Sequence, residues 1–164
     1  MKVMVVYDSQ FGNTGQIAQA IGRGLGDASG SPNKLDVSQV AQVRPENLAG
    51  LDVLVVGSPT QKFRPTSATK TFLKNIPKGA LDGVKVAAFD TRLTEEEINS
   101  HGVLTKFVDI FGYAAQPISD SLAKKGGDVV MPPAGFYVAG TEGPLLEGEL
   151  ARAEAWGRQI AGHS

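Results

Sequence analysis

Three short apolar runs stand out along the chain, at residues 3–7, 53–56 and 84–89. Runs that are apolar at nearly every position are typical of strands covered by helices on both faces, as in a parallel sheet. Weaker strand patterns occur at 35–37, 128–131 and 135–138. Pro132 and Pro133 lie between the last two, and we expect them to break one strand from the next.

Helical patterns fill the intervals between these runs. Apolar residues recur at i, i+3, i+4 and i+7 from Thr14 to Leu25, and shorter stripes of the same kind cover 68–76, 103–111 and 150–160. Thr66 or Ser67 offers a capping hydroxyl for the second helix. Strands that alternate with helices in this way predict an α/β, doubly wound fold. We expect a single domain over residues 1–164.

Two glycine-containing segments indicate where helices end. The stretch Gly22-Arg23-Gly24-Leu25-Gly26 is interpreted as a loose C-terminal end of the first helix, followed by a turn at 29–33. Lys124-Lys125-Gly126-Gly127 has the character of a cationic helix end and its stop signal.

Composition narrows the classes of function. The 164 residues carry a net charge of −1, which favours neither nucleic acid nor an anionic membrane as partner. The absence of cysteine excludes disulfides, thiolate nucleophiles and iron–sulfur clusters, and two histidines are too few for a His-rich metal centre. No metal site and no catalytic residue set is predicted. The N-terminus begins directly with a strand pattern and no apolar run is long enough for a membrane helix, so we expect a cytoplasmic protein.

The informative loops are those that follow the strong strands. In an open parallel sheet, ligands bind outside the carboxyl ends of the strands, where the strand order reverses. The first such loop leads into a helix N-terminus, whose free N–H groups favour an anion. Ser9, Asn13 and Thr14 add polar groups, and the lack of Lys and Arg favours one phosphate over three. The loop alone does not distinguish between an anion-binding site and side chains that only cap the helix.

Two of these loops resemble those of a known family. The segment Ser9-Gln10-Phe11-Gly12-Asn13-Thr14 resembles the phosphate loop of flavodoxins, and Gly57-Ser58-Pro59-Thr60 resembles a second flavodoxin-like segment. The segments around 135–138 and 142–150 are similar to the last strand and helix entry of flavodoxin-like proteins. The resemblance spans nearly the whole chain. It implies a flavodoxin-like, doubly wound five-stranded parallel sheet and a bound flavin mononucleotide, FMN.

The resemblance also assigns roles to the loops. The first loop cradles the FMN phosphate, the second runs along the isoalloxazine, and the loop after the fourth strand lines its other side. Phe11 departs from the family pattern because it replaces a central Thr, and Phe63 is the candidate aromatic for stacking on the flavin. The cofactor-binding residues implied in this way are Ser9, Gln10, Phe11, Gly12, Asn13, Thr14, Pro59, Thr60, Gln61, Lys62, Phe63, Arg64, Thr91, Arg92 and Leu93.

Cations in the two flavin loops carry a redox hypothesis. Lys62, Arg64 and Arg92 replace the acidic surroundings by which flavodoxins reach low potentials. A cation within ~6 Å favours a negatively charged group. We therefore predict a higher potential than in typical flavodoxins, unless these side chains point to solvent.

Three functions stay open at this stage. The first is electron transfer through FMN to a redox partner protein or a small-molecule acceptor. The second is an FMN-dependent NAD(P)H:quinone-type oxidoreductase, which the short chain favours less. The third is a flavodoxin-like interaction module without flavin, which Phe11 and the missing aromatic in the loop after the fourth strand keep open.

Overall fold

The computed structural model describes residues 1–28, 34–61, 64–94 and 113–163. The helix predicted at 103–111 and the turn predicted at 29–33 lie outside the described residues. The strands are β1 (Lys2–Tyr7), β2 (Lys34–Gln39), β3 (Val53–Pro59), β4 (Lys85–Leu93), β5 (Asp128–Val129) and β6 (Ala134–Val138). The described α-helices are α1 (Asn13–Ala28), α2 (Ser67–Asn75), α3 (Ala115–Lys124) and α4 (Glu149–Gly162), and two short 3₁₀ helices cover Val40–Gln42 and Pro45–Leu48.

The strands form one parallel sheet in the order β2-β1-β3-β4-β5, with β6 also paired to β4. β5 pairs with the start of β4 and β6 pairs with its end, so the two segments share the fifth position of the sheet. Pro132 and Pro133 lie in the gap between them, as the sequence predicts. The predicted five-stranded, doubly wound parallel sheet is confirmed, with its last strand in two pieces.

The two faces of the sheet are covered by different helices. Val5 and Val55 point to the face that carries α1 and α4, whereas Val6 and Val56 point to the face that carries α2 and α3. All four valines are completely buried. This explains why their strands are apolar at every position. Among the described residues, no helix combines the length and the apolar character needed to cross a membrane.

The glycines of α1 have a structural role that differs from the predicted one. The helix continues to Ala28, so the interpretation of Gly22–Gly26 as its C-terminal end is wrong. A Cβ added at Gly24 would lie 2.0 Å from the carbonyl oxygen of Glu154 in α4. Across the same interface, a Cβ added at Gly157 would lie 2.3 Å from the carbonyl oxygen of Ile21. α1 and α4 therefore pack backbone to backbone, which only glycine permits at these two positions.

Candidate functional site

A cleft of about 650 Å³ opens at the carboxyl ends of β1, β3 and β4. After β1 the chain passes to one side of the sheet and after β3 to the other, so the cleft lies where the strand order reverses. Its volume is in the range of small-molecule and cofactor sites. The described lining residues are Gln10, Phe11, Asn13, Thr14, Pro59, Thr60, Gln61, Arg64, Pro65, Ser67, Lys70, Thr91, Arg92, Leu93, Val138 and Thr141.

The loop between β1 and α1 is organised by a serine hydroxyl. Ser9 Oγ accepts hydrogen bonds from the backbone N–H groups of Gly12 and Gly15, at 3.1 and 3.3 Å. Gly12 has a φ of 91°, a conformation that costs little only for glycine. Ser9 therefore caps the start of α1, as one of the two interpretations predicted. Its hydroxyl fixes the conformation of the loop and, within the described residues, engages no other N–H group of the loop.

The same loop presents unpaired donors. Within the described part of the chain, the backbone N–H groups of Gln10, Phe11, Asn13 and Thr14 have no acceptor. Asn13 and Thr14 begin α1, so their N–H groups are donors that a helix N-terminus leaves without an intrahelical acceptor, and the helix dipole there favours negative charge. Gln10 and Phe11 add two loop donors just before the helix. These uncharged donors are compatible with a single phosphate group, and the hydrogen bonds to Ser9 Oγ leave them free for it.

The side chains at the start of α1 are engaged with the rest of the protein. Thr14 Oγ1 lies 2.8 Å from Thr91 Oγ1, and both residues are buried. The Asn13 side-chain amide donates to the Glu142 carbonyl at 3.1 Å. The Thr14 hydroxyl, implied by the family resemblance to contact phosphate, thus joins α1 to β4. Phe11 is 51% exposed at the cleft and contributes nothing to the core.

Backbone hydrogen bonds fix the described residues of the second loop. Gln61 and Arg64 exchange two backbone hydrogen bonds of 2.8 Å each, and Thr60 N–H donates to the Thr91 carbonyl at 2.9 Å. Lys62 and Phe63, predicted to bind the cofactor from this loop, lie outside the described residues.

A buried polar network connects the first two loops. The Thr66 hydroxyl donates to Asp8 Oδ2 at 2.5 Å and its backbone N–H donates to Ser58 Oγ at 3.0 Å. Thr66 Oγ1 also accepts from Thr69 N–H, so it is the N-cap of α2, one of the two candidates in the sequence. Each loop thus holds the other in place, which preorganises the cleft.

Arg92 is held by an ion pair beneath the cleft. Its guanidinium donates to both carboxylate oxygens of Asp90, at 2.6 and 2.7 Å, and lies 3.7 Å from the ring centre of Tyr113. Asp90 is fully buried and also accepts from Ala115 N–H at 2.9 Å. Burial raises the pKa of Asp90, and the Arg92 guanidinium and the Ala115 amide oppose that rise. The positive charge that Arg92 places at the cleft is therefore neutralised by Asp90.

The structure brings most of the sequence-predicted residues to one place. Ser9 and Gly12 are not in the lining, because they act on the conformation of the loop. The lining residues that the sequence did not predict are Pro65, Ser67, Lys70, Val138 and Thr141. Ser67 and Lys70 lie in the first turn of α2, directly after the second loop. Both could have been predicted from the sequence by including the first turn of the helix that follows each loop. Val138 is the last residue of β6 and Thr141 follows that strand, so the end of the predicted strand at 135–138 was the signal for both.

Comparisons with known proteins agree with this architecture. The family model described as Flavodoxin matches residues 5–156. A flavodoxin of Aquifex aeolicus is 28% identical over 166 residues, which cover 98% of this chain and 85% of that protein. An NAD(P)H dehydrogenase (quinone) of Caulobacter vibrioides is 27% identical over 197 residues, which cover 98% of this chain and 95% of that protein. The crystal structure of oxidised flavodoxin 1 from Bacillus cereus has a TM-score of 0.76 at 17% identity and covers 100% of this chain and 99% of its own.

Proposed function

The chain belongs to the flavodoxin family, and we propose that it holds FMN in the cleft at the ends of β1, β3 and β4 and transfers electrons through it. FMN supplies the redox chemistry, and the chain's own residues bind and orient it. The observation that carries the proposal is the loop with unpaired N–H groups at Gln10, Phe11, Asn13 and Thr14 beside a cleft of cofactor size.

Each part of the chain has a distinct task in this proposal. The N–H groups of the first loop hold the phosphate, while Pro59, Thr60 and Gln61 and the end of β4 flank the flavin ring. Phe11 is the one aromatic among the described lining residues, and its exposed ring is available to contact a bound cofactor. Lys62 and Phe63 stay predictions. One domain over 1–164, with the described helices on both faces of one sheet, is part of the same proposal.

The first test is the colour and content of the purified protein. We expect a yellow protein that releases FMN on denaturation, and an apoprotein that takes up added FMN. A colourless protein that fails to bind FMN would contradict the proposal and favour an interaction module without flavin.

Ser9→Ala tests the phosphate loop itself. The change removes the acceptor for Gly12 and Gly15 N–H, and such caps contribute about 1 kcal/mol. We expect FMN affinity to fall by about fivefold, while the affinity for riboflavin, which lacks the phosphate, stays within about twofold. Titration of the apoprotein by flavin fluorescence measures both. An equal loss for the two flavins would show that the loop does not bind phosphate.

A second candidate function is NAD(P)H:quinone oxidoreduction. The Caulobacter relative, matched over nearly the full length of both chains, is the observation that favours it. Steady-state turnover of NADH or NADPH with a quinone would establish the enzyme. If an FMN-loaded protein showed no such turnover but exchanged electrons with other redox proteins, its function would be that of an electron carrier.

The charge of the cleft supports the predicted higher reduction potential. Its described lining includes Arg64, Lys70 and Arg92 and contains no carboxylate. Arg92 is compensated by Asp90, so Lys70 is the more informative cation. Cations beside a flavin stabilise the additional negative charge of its reduced form.

Lys70→Glu is expected to lower the two-electron potential by about 20 mV, which corresponds to about 1 kcal/mol. Lys74→Glu is the matched control, because Lys74 lies one turn further along α2 and does not line the cleft. Redox titration of both variants and of the Aquifex flavodoxin provides the comparison. A wild-type potential as low as that of the Aquifex protein, or equal shifts in the two variants, would contradict the electrostatic argument.

A further inference from the structure

A second depression, of about 500 Å³, runs between α2 and α3. We call it the basic groove. No acidic side chain lines it within the described part of the chain. The basic residues of its lining are Arg64, Lys70, Lys74, Lys124 and Lys125.

This concentration of charge is unusual for the chain. The sequence contains 16 basic and 17 acidic residues, with a net charge of −1. The groove thus gathers five of the basic residues on a protein that is otherwise acidic on balance. A local surplus of one sign steers a partner of the opposite sign toward that face.

Local helix chemistry explains only part of the cluster. Lys74 and Lys124 lie in the last turns of α2 and α3, where the helix dipole favours a cation. Lys125 Nζ donates to the Lys74 carbonyl at 3.4 Å, which links the ends of the two helices. Lys70 lies nearer the start of α2 and Arg64 precedes that helix, so the dipole does not account for them.

Apolar residues form the floor of the basic groove. Pro65 and Leu73 are buried, and Pro117 is partly buried opposite them. An apolar centre with a charged rim is the usual anatomy of a protein–protein interface. Cations that are spread around such a floor suit an extended acidic surface better than a single phosphate group.

The basic groove is continuous with the cleft. Arg64, Pro65 and Lys70 line both depressions. A protein seated in the groove would therefore lie directly beside the flavin site. Close approach of two redox centres is what transfer between proteins requires.

We propose that the basic groove is the docking surface for an acidic redox partner protein. This inference rests on the proposed function, since it places the partner beside the FMN cleft. The complex is of the weak, charge-steered kind in which rim charges set the association rate and its salt dependence.

A charge-reversal pair tests the surface with labelled poly-L-glutamate as the probe. In Lys74→Glu/Lys124→Glu, both changed side chains are exposed and neither lines the cleft. We expect binding of the FMN-loaded protein to the probe, measured by fluorescence anisotropy at low salt, to weaken by at least about tenfold. The salt dependence of the remaining binding should also be smaller.

Lys34→Glu/Arg44→Glu is the matched control. It changes the net charge equally at two exposed positions, in β2 and in the segment that follows it. We expect binding of the probe within about twofold of wild type. If both double variants lost the same binding affinity for the probe, overall charge alone would explain the loss, and the proposal would be overturned. Displacement of the probe by stoichiometric pyrophosphate or NADP⁺ would identify a nucleotide site instead and also overturn it.

The flavin content of each variant separates this test from that of the proposed function. Visible absorbance reports bound FMN, whereas anisotropy reports the groove. A protein that binds FMN but shows no preference between the two charge-reversal pairs refutes the docking surface alone. A protein that binds no FMN refutes the proposed function, whatever the probe shows.

Discussion

Gly24→Ala is expected to lower the free energy of unfolding by about 1–2 kcal/mol. The new Cβ would lie 2.0 Å from the Glu154 carbonyl oxygen, so α1 and α4 must move apart. Overpacking of this kind costs about 1–3 kcal/mol or more and outweighs the helix propensity that alanine gains over glycine, about 1 kcal/mol. Urea denaturation of the apoprotein measures the change without a contribution from bound flavin.

Gly26→Ala is the matched control within the same helix. The nearest atom to its added Cβ is Leu35 Cδ2 at 3.8 Å, which is an ordinary contact. Its expected effect is a gain of up to about 1 kcal/mol from helix propensity. If the two variants were equally stable, the backbone-to-backbone contact between α1 and α4 would be refuted.

Asp90→Asn should destabilise the protein by about 3 kcal/mol. The carboxylate is 0% exposed and accepts two hydrogen bonds from Arg92 and one from Ala115 N–H. Removing one partner of a buried ion pair leaves the other charge uncompensated, at a cost of about 3–5 kcal/mol. For a chain of this size the expected fall in Tm is roughly 10 °C. Thermal unfolding of the apoprotein followed by circular dichroism measures it.

A double-mutant cycle separates the lost pair from a general loss of packing. In Asp90→Asn/Arg92→Met both charges are gone, and we expect much of the stability to return. Additive losses in the cycle would mean that the two side chains contribute independently. The control Asp52→Asn removes an exposed carboxylate bonded to Lys2 N–H and is expected to cost less than about 1 kcal/mol.

The sequence predicted the sheet well because its central strands are apolar on both faces. Val5, Val6, Val55 and Val56 are all completely buried, and a run of that kind has few alternatives. α3 was missed, and only its end at Lys124 was recognised. Its buried stripe of Ala115, Ile118, Ser119 and Leu122 is interrupted by small and polar residues, which makes the period weak.

The sequence predicted which strand ends form the site, but not which side chains contact one another there. The sequence placed Arg92 beside the flavin as a cation, yet it does not reveal that Asp90, two residues earlier, neutralises it. In a strand, residues i and i+2 share a face, so the pairing is compatible with the pattern without being dictated by it. The packing of Thr14 against Thr91, 77 residues apart, depends wholly on the tertiary fold.

The divided fifth strand has a consequence for how copies of this protein meet one another. An edge strand with unpaired backbone groups invites another chain to add a strand there. On β6 the outward groups are already engaged: Tyr137 N–H donates to Glu149, Leu146 N–H donates to the Tyr137 carbonyl, and Arg152 donates to the Gly135 carbonyl. Pro132 and Pro133 have no N–H to offer. Along β6, therefore, this edge gives a neighbouring chain no continuous template for strand addition.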